Sequence, residues 1–268
     1  MTDNIMIEMI SILGGYGKNK APEPVDRIDL KMGDVVSVVG PTGSGKTTLI
    51  NDLELFADAN TPTGRRILIN GRPAPDEYRE DPSRNPIALV TQHTTFLSDL
   101  PVREFLSIHA RIRSSEPGLS NDIVQRTLAF ANQLTGEPIL VQSRMTELSG
   151  GQTRALLIAD ATLICNTPIV LLDEVENAGI HRTRAIEMLR RHRKIFIFVT
   201  HDPRIALLSD YRLVMEGGMV VRVLHTDETE QRLAGKVSRI DDALSRLRER
   251  IRKGERLLGD ELEDWACS

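Results

Sequence analysis

The sequence predicts an α/β fold with a largely parallel central sheet. Three observations predict it. Short apolar runs alternate with amphipathic helical stretches along most of the chain. A glycine-rich stretch, Gly40 to Thr48, joins an apolar run to a helical one. Residues able to do chemistry stand directly after apolar runs, where ligands gather in parallel sheets.

Taken in order, Ile5 to Leu13 reads as a strand and Gly14 to Gly17 as a turn. A polar loop, Lys18 to Pro24, leads to a strand over Ile28 to Met32. Gly33-Asp34 then turns the chain into Val35-Val36-Ser37-Val38-Val39, the strand that feeds the glycine-rich stretch. Leu49, Ile50, Leu53 and Phe56 fall at helical spacing within a helix expected to reach Ala57. Arg65 to Asn70 is a strand, Gly71 to Pro86 a proline-rich loop, and Ile87 to Thr91 a strand ending at Gln92.

Pro101 to Met145 changes character and predicts helices broken at Glu116-Pro117-Gly118 and Gly136-Glu137-Pro138. After Leu148-Ser149-Gly150-Gly151-Gln152 a helix runs from Arg154 to about Leu163. Ile169 to Leu172 is a buried strand ending in Asp173-Glu174. A helix over Arg182 to Arg193 precedes a buried strand, Ile195 to Thr200, ending at His201. A short helix and a hairpin over Tyr211 to Leu224 follow. Val237, Ile240, Leu244, Leu247, Ile251 and Leu258 then keep a heptad spacing that Gly254 interrupts. Such a helix packs on its own domain or docks a partner; the acidic tail, Gly259 to Ser268, follows it.

At 268 residues, 40% of them hydrophobic, the chain can bury a large core. Its net charge of −4 gives no general attraction to nucleic acid or anionic membrane. The basic helix Arg182 to Lys194 has no aromatic stacking platform beside it, so it reads as a solvated face. Cys165 and Cys267 lie far apart, with no Cys/His metal spacing. This predicts a reducing compartment and no structural zinc site, with Cys165 in the core. Met1 to Leu13 lacks a basic leader segment, and no apolar run approaches the length of a membrane span.

Gly40-Pro41-Thr42-Gly43-Ser44-Gly45-Lys46-Thr47-Thr48 matches a phosphate-binding loop in full. Glycines let successive N–H groups face one anion, and the helix start adds positive charge. Lys46 can reach outer phosphates and Thr47 can offer a hydroxyl to Mg²⁺. Asp173 can approach the same metal, and Glu174 can orient or deprotonate a water. Ser149 and its glycines open a helix and form a second anion site. Two chains arranged head to tail could each lend one site to the other's nucleotide.

These motifs, in this order and spacing over roughly residues 5 to 224, resemble those of ATP-binding cassette (ABC) ATPases. The resemblance implies a P-loop core with an N-terminal antiparallel β subdomain and a mixed or parallel central sheet. It implies a helical lobe at about residues 96–160 within an ATPase domain of 1–225. A helical extension, 226–268, follows. It also implies ATP and Mg²⁺ as ligands, with Thr47, Gln92 and Asp173 around the metal. Gln92 would touch the metal and the water, His201 would sense the γ-phosphate, and Tyr16 would stack on adenine. Ser149, Gly150, Gly151 and Gln152 would meet the nucleotide of a second cassette. One departure is plain: where the family reads P-T-S-A-L-D after the acidic pair, this chain has Val175 to Ile180, with His181 near the place of the missing aspartate. Nor does Ile139 to Glu147 carry the glycine-containing segment of exporters. The resemblance implies a cytoplasmic subunit, peripheral to the inner membrane face where it powers separate membrane subunits. The alternative is a soluble ATPase with a cytosolic client, in metallocofactor or iron–sulfur maturation or in DNA repair. Nucleic acid is not an expected partner.

Overall fold

The computed structural model describes residues 6–81, 84–91, 93–113, 120–174 and 182–256. The first elements are β1 (Met9–Leu13), β2 (Arg27–Lys31), β3 (Val35–Val39) and α1 (Lys46–Glu54). They are followed by β4 (Arg66–Ile69), β5 (Arg72–Pro73), α2 (Glu77–Glu80) and β6 (Ile87–Val90). The helices α3 (Val102–Arg113), α4 (Ser120–Leu134) and α5 (Gly150–Leu163) come next. The chain then alternates through β7 (Ile169–Asp173), α6 (Arg182–Arg190), β8 (Ile195–Val199) and α7 (Pro203–Leu208). A hairpin of β9 (Tyr211–Glu216) and β10 (Met219–His225) leads to α8 (Glu228–Arg252).

Two sheets form. The larger has the order β10-β9-β3-β8-β7-β6; β6, β7, β8, β3 and β9 run parallel and β10 is antiparallel. The smaller, β2-β1-β4-β5, is wholly antiparallel. Side chains alternate across the larger sheet, as the two-residue strand period requires. On β8, Ile195, Ile197 and Val199 face one apolar cluster with α1 and the smaller sheet, while Phe196 and Phe198 face another with α3 to α7. The helices of the lobe therefore share a core with one face of the sheet: Leu106, Ala131 and Leu156 belong to the same cluster as Val170 and Leu172. Both faces of β7 and β8 are covered, which is why those strands read as continuous apolar runs.

Several boundaries differ from expectation. The proline-rich stretch after Gly71 contains the short β5 and α2. α1 stops at Glu54, short of Ala57, because the chain turns through a left-handed Phe56 at φ 46° and buries its ring. α6 ends at Arg190, three residues early, before the left-handed Arg193. α8 begins nine residues ahead of Val237, where the Asp227 carboxylate accepts from the Glu230 N–H at 2.8 Å and caps the helix. It packs on α7, burying Ala234 and Ala243, and Asp241 pairs with the buried Arg204 at 2.9 Å. Ile240, Leu244 and Ile251 of the heptad series remain exposed, as does Leu233 ahead of it; Leu258 and the acidic tail lie outside the described residues.

Cys165 is not a core residue of a helix. It sits two residues past α5, half-buried, with its sulfur 3.6 Å from Asp160 Oδ2. His109 of α3 meets the other oxygen of Asp160 at 2.8 Å. Hydrogen bonds to Asp160 and then to Cys165 raise the imidazole pKa to about 10, against the opposing effect of burial. The expectation of no Cys/His cluster is overturned in space: the fold joins residues that sequence spacing keeps 51 and 5 positions apart.

Candidate functional site

β3 delivers the glycine-rich loop and α1 carries it away. The loop's own surroundings demand glycine. At Gly40 an added Cβ would lie 2.3 Å from the Met215 carbonyl oxygen, and at Gly45, with φ 101°, it would lie 2.8 Å from Gly218 Cα. Gly43 is also left-handed, at φ 76°. Lys46 is buried, and its ammonium donates to the carbonyls of Gly40 at 2.9 Å and Pro41 at 3.1 Å, curling over the loop. Thr47 and Thr48 are exposed on the first turn of α1, which has no side-chain cap and no acidic residue. Ser44 Oγ is buried without a hydrogen-bond partner, an orphaned polar atom in a cradle of N–H groups. This donor set fits a bound polyphosphate.

Two further elements hold the loop. Lys18 Nζ donates to Gly43 O at 2.7 Å, and Gly218 N, in the β9–β10 turn, donates to Ser44 O at 2.8 Å. Tyr16 lies two residues before Lys18, its ring largely exposed and its N–H bonded to Thr63 O at 2.7 Å. An aromatic face is thus presented in the loop that touches the phosphate cradle.

Beneath this loop lies a network that the sequence did not reveal. Arg65 is fully buried and donates to both oxygens of Glu23, at 2.8 and 2.9 Å, to Asp52 at 3.0 Å and to Gly218 O at 2.7 Å. Burial disfavours its charge, but Glu23 and then Asp52 outweigh that and raise its pKa. Glu23 also accepts from the N–H groups of Gly15 and Val220. The network ties α1, the Tyr16 loop and the β9–β10 turn to one guanidinium. Its members come from segments 23 to 220, and no local motif marks them.

The acidic pair ends β7. Asp173 stands opposite Val199 of β8, and Glu174 donates its N–H to Val199 O at 3.0 Å. Glu174 adopts a left-handed backbone, φ 50°, rare for a residue with a long side chain. Its carboxylate lies 3.6 Å from His201 Nε2, across the ends of β7 and β8. Because β8 lies between β3 and β7, the cradle, His201 and the acidic pair all sit at the carboxyl ends of three adjacent parallel strands. Asp173 and Thr47 carry oxygen atoms of the kind that a hard divalent cation takes. Gln92 follows β6, the next strand, but lies outside the described residues, as do Val175 to His181.

Ser149 to Gln152 stand apart from this group. Ser149 caps α5: its hydroxyl accepts from Gln152 N at 3.3 Å, and Gln152 Oε1 accepts from Ser149 N at 2.9 Å. The helix therefore opens at Gly150, four residues before the expected start at Arg154. Gln152 Nε2 reaches Pro138 O at 3.1 Å, inside the lobe. Ser149 and Gly150 are exposed, and an added Cβ on Gly150 would meet only the end of Arg154, at 3.7 Å. The fold of this chain does not itself require glycine there.

A family model described as ABC transporter matches residues 26–177. The chain is 45% identical over 256 residues to an uncharacterized ABC transporter ATP-binding protein of Methanocaldococcus jannaschii, covering 96% of this chain and 97% of that one. It is 32% identical over 226 residues to a sulfate/thiosulfate import ATP-binding protein of Thermosynechococcus vestitus, covering 82% of this chain and 63% of the relative. Among solved structures, a dimeric ATP-binding cassette bound to ADP and Pi in a post-hydrolysis state superposes with a TM-score of 0.62. It is 22% identical and covers 81% of this chain and 99% of that one. CbiO1 of Clostridium perfringens, part of an ABC transporter complex, gives 0.63 at 21% identity, over 90% of this chain and 98% of that one.

Proposed function

This chain belongs to the ABC transporter family of ATP-binding, ATP-hydrolysing cassettes, and we propose that it pairs with a second cassette to drive separate membrane subunits. The observation that carries the pairing is the division of the site. The cradle, Asp173, Glu174 and His201 share the carboxyl ends of adjacent strands, whereas Ser149 and Gly150 form the exposed start of a helix elsewhere. A glycine that its own chain does not need, at a helix start, suits the close approach of a phosphate from outside. The partner cassette's nucleotide is that phosphate.

Within one cassette, Lys46, the loop N–H groups and the start of α1 hold the outer phosphates of ATP. Tyr16 offers its ring to the base. Thr47, Asp173 and Gln92 hold Mg²⁺, which neutralises developing charge on the phosphates when bound. Glu174 orients the attacking water, and His201, beside it, fixes the γ-phosphate and the Glu174 carboxylate in one geometry. Lys46→Ala is expected to weaken ATP binding at least tenfold, since it removes the cation from a water-poor cradle. Titration with a fluorescent ATP analogue reads this directly, and unchanged affinity would remove Lys46 from the site.

Among the described residues no helix is long and apolar enough to cross a membrane. The relatives named for sulfate/thiosulfate import and as part of a transporter complex support an arrangement with separate membrane subunits. Purification of tagged Glu174→Gln chain with Mg²⁺ and ATP tests it. Co-purification of integral membrane proteins is the expected result. A stable complex with soluble proteins alone would overturn the membrane reading.

A further inference from the structure

Away from the nucleotide site, α3 and the end of α5 bring together an imidazole, a carboxylate and a thiol. His109 Nδ1, a carboxylate oxygen of Asp160 and Cys165 Sγ all lie within 4.8 Å of one another. We propose that His109, Asp160 and Cys165 bind a divalent cation of borderline softness, of the zinc class, which clamps α3 to α5.

The donor set supports that class. Nitrogen, oxygen and sulfur from three side chains suit Zn²⁺ and not the hard cations, which take oxygen only. Tetrahedral Zn²⁺, with ligand bonds of about 2.0–2.3 Å, places its donors about 3.4–3.6 Å apart. Cys165 Sγ already stands 3.6 Å from one Asp160 oxygen. His109 Nδ1 stands 2.8 Å from the other oxygen, and with one donor atom from each residue inside a 4.8 Å span, small rotations of the three side chains bring them to that spacing. The cation takes the place of the hydrogen bond between these two groups.

The frame around the donors is stiff. Asp160 is buried on α5, and its carbonyl oxygen accepts from the N–H groups of both Ile164 and Cys165. His109 lies against Phe105, with ring centroids 5.9 Å apart. Asp160 and Cys165 also line a cleft of about 1000 Å³ that runs along β6, which provides an entry path and room for a water as fourth ligand. Lys194 lines the same cleft, with its ammonium held by Asn166 Oδ1 at 2.7 Å and Thr167 O at 2.9 Å. The carboxylate and thiolate offset the charge a cation would bring beside it. A cation here also lies on the helix that Ser149 opens, so occupancy stiffens the element that meets the partner nucleotide.

Cobalt(II) serves as the probe, in full-length chain carrying Cys267→Ser so that Cys165 is the remaining thiol. A thiolate-to-cobalt charge-transfer band is expected at one equivalent, with a rise in melting temperature by ligand linkage. Zn²⁺ should bleach the band by displacement. Cys165→Ser should abolish the band, and His109→Gln should weaken binding about tenfold or more. The band separates this site from the nucleotide's metal, whose ligands include no sulfur. Absence of the band in a chain that still binds ATP, or cobalt binding of equal affinity in Cys165→Ser, would overturn the site.

Discussion

Glu174→Gln is expected to lower ATP turnover by about 10²–10⁴-fold, the range for loss of a positioned acid–base group. ATP binding should persist, because the cradle from Gly40 to Thr48 is untouched. Glutamine keeps the size of the side chain and can still accept from His201, but it can no longer draw a proton from water. With closure intact and hydrolysis blocked, two chains should stay joined around ATP. Size-exclusion chromatography with Mg²⁺ and ATP should show a dimer in the variant and mainly monomer in the wild type after turnover. Hydrolysis at near wild-type rate would assign the water-orienting role to another residue.

Arg65→Met should have the largest effect on stability. It leaves Glu23 and Asp52 buried beside an apolar side chain, and breaking a buried pair in this way costs about 3–5 kcal/mol. For a chain of this size that corresponds to a fall in melting temperature of roughly 6–20 °C. Replacing all three by apolar residues of matching volume should restore only part of the loss, since no buried carboxylate is then left alone but the N–H groups of Gly15 and Val220 lose their acceptor. If the single variant melts with the wild type, the network is not what anchors the Tyr16 loop. ATP affinity gives a second readout: the loop and the β9–β10 turn share the same guanidinium, so both sides of the cradle should loosen together.

What was legible in the sequence was whatever is encoded locally. The loop from Gly40, the acidic pair after Ile169 and the glycine-rich segment from Leu148 to Gln152 are each contiguous, and each carries its own backbone logic. Strand-length apolar runs exposed the α/β layering because both faces of β7 and β8 are covered. What was hidden depends on assembly. Arg65 reads as an ordinary strand residue until Glu23, Asp52 and Gly218 arrive from distant segments. Cys165 reads as core until α3 brings His109 alongside Asp160. The start of α8 lies nine residues ahead of the heptad spacing at Val237, and the signal for it is the capping residue Asp227, not apolar periodicity.

The left-handed backbone at Glu174 has an evolutionary consequence. A conformation that costs a residue with a side chain of order 1 kcal/mol costs glycine almost nothing. Glu174→Gly should therefore yield a sturdier protein that no longer turns over ATP. Mutational drift toward stability and selection for activity pull in opposite directions at this one position. A cassette released from its duty should lose its acid here early, while its nucleotide cradle, on which the neighbouring turn leans, persists.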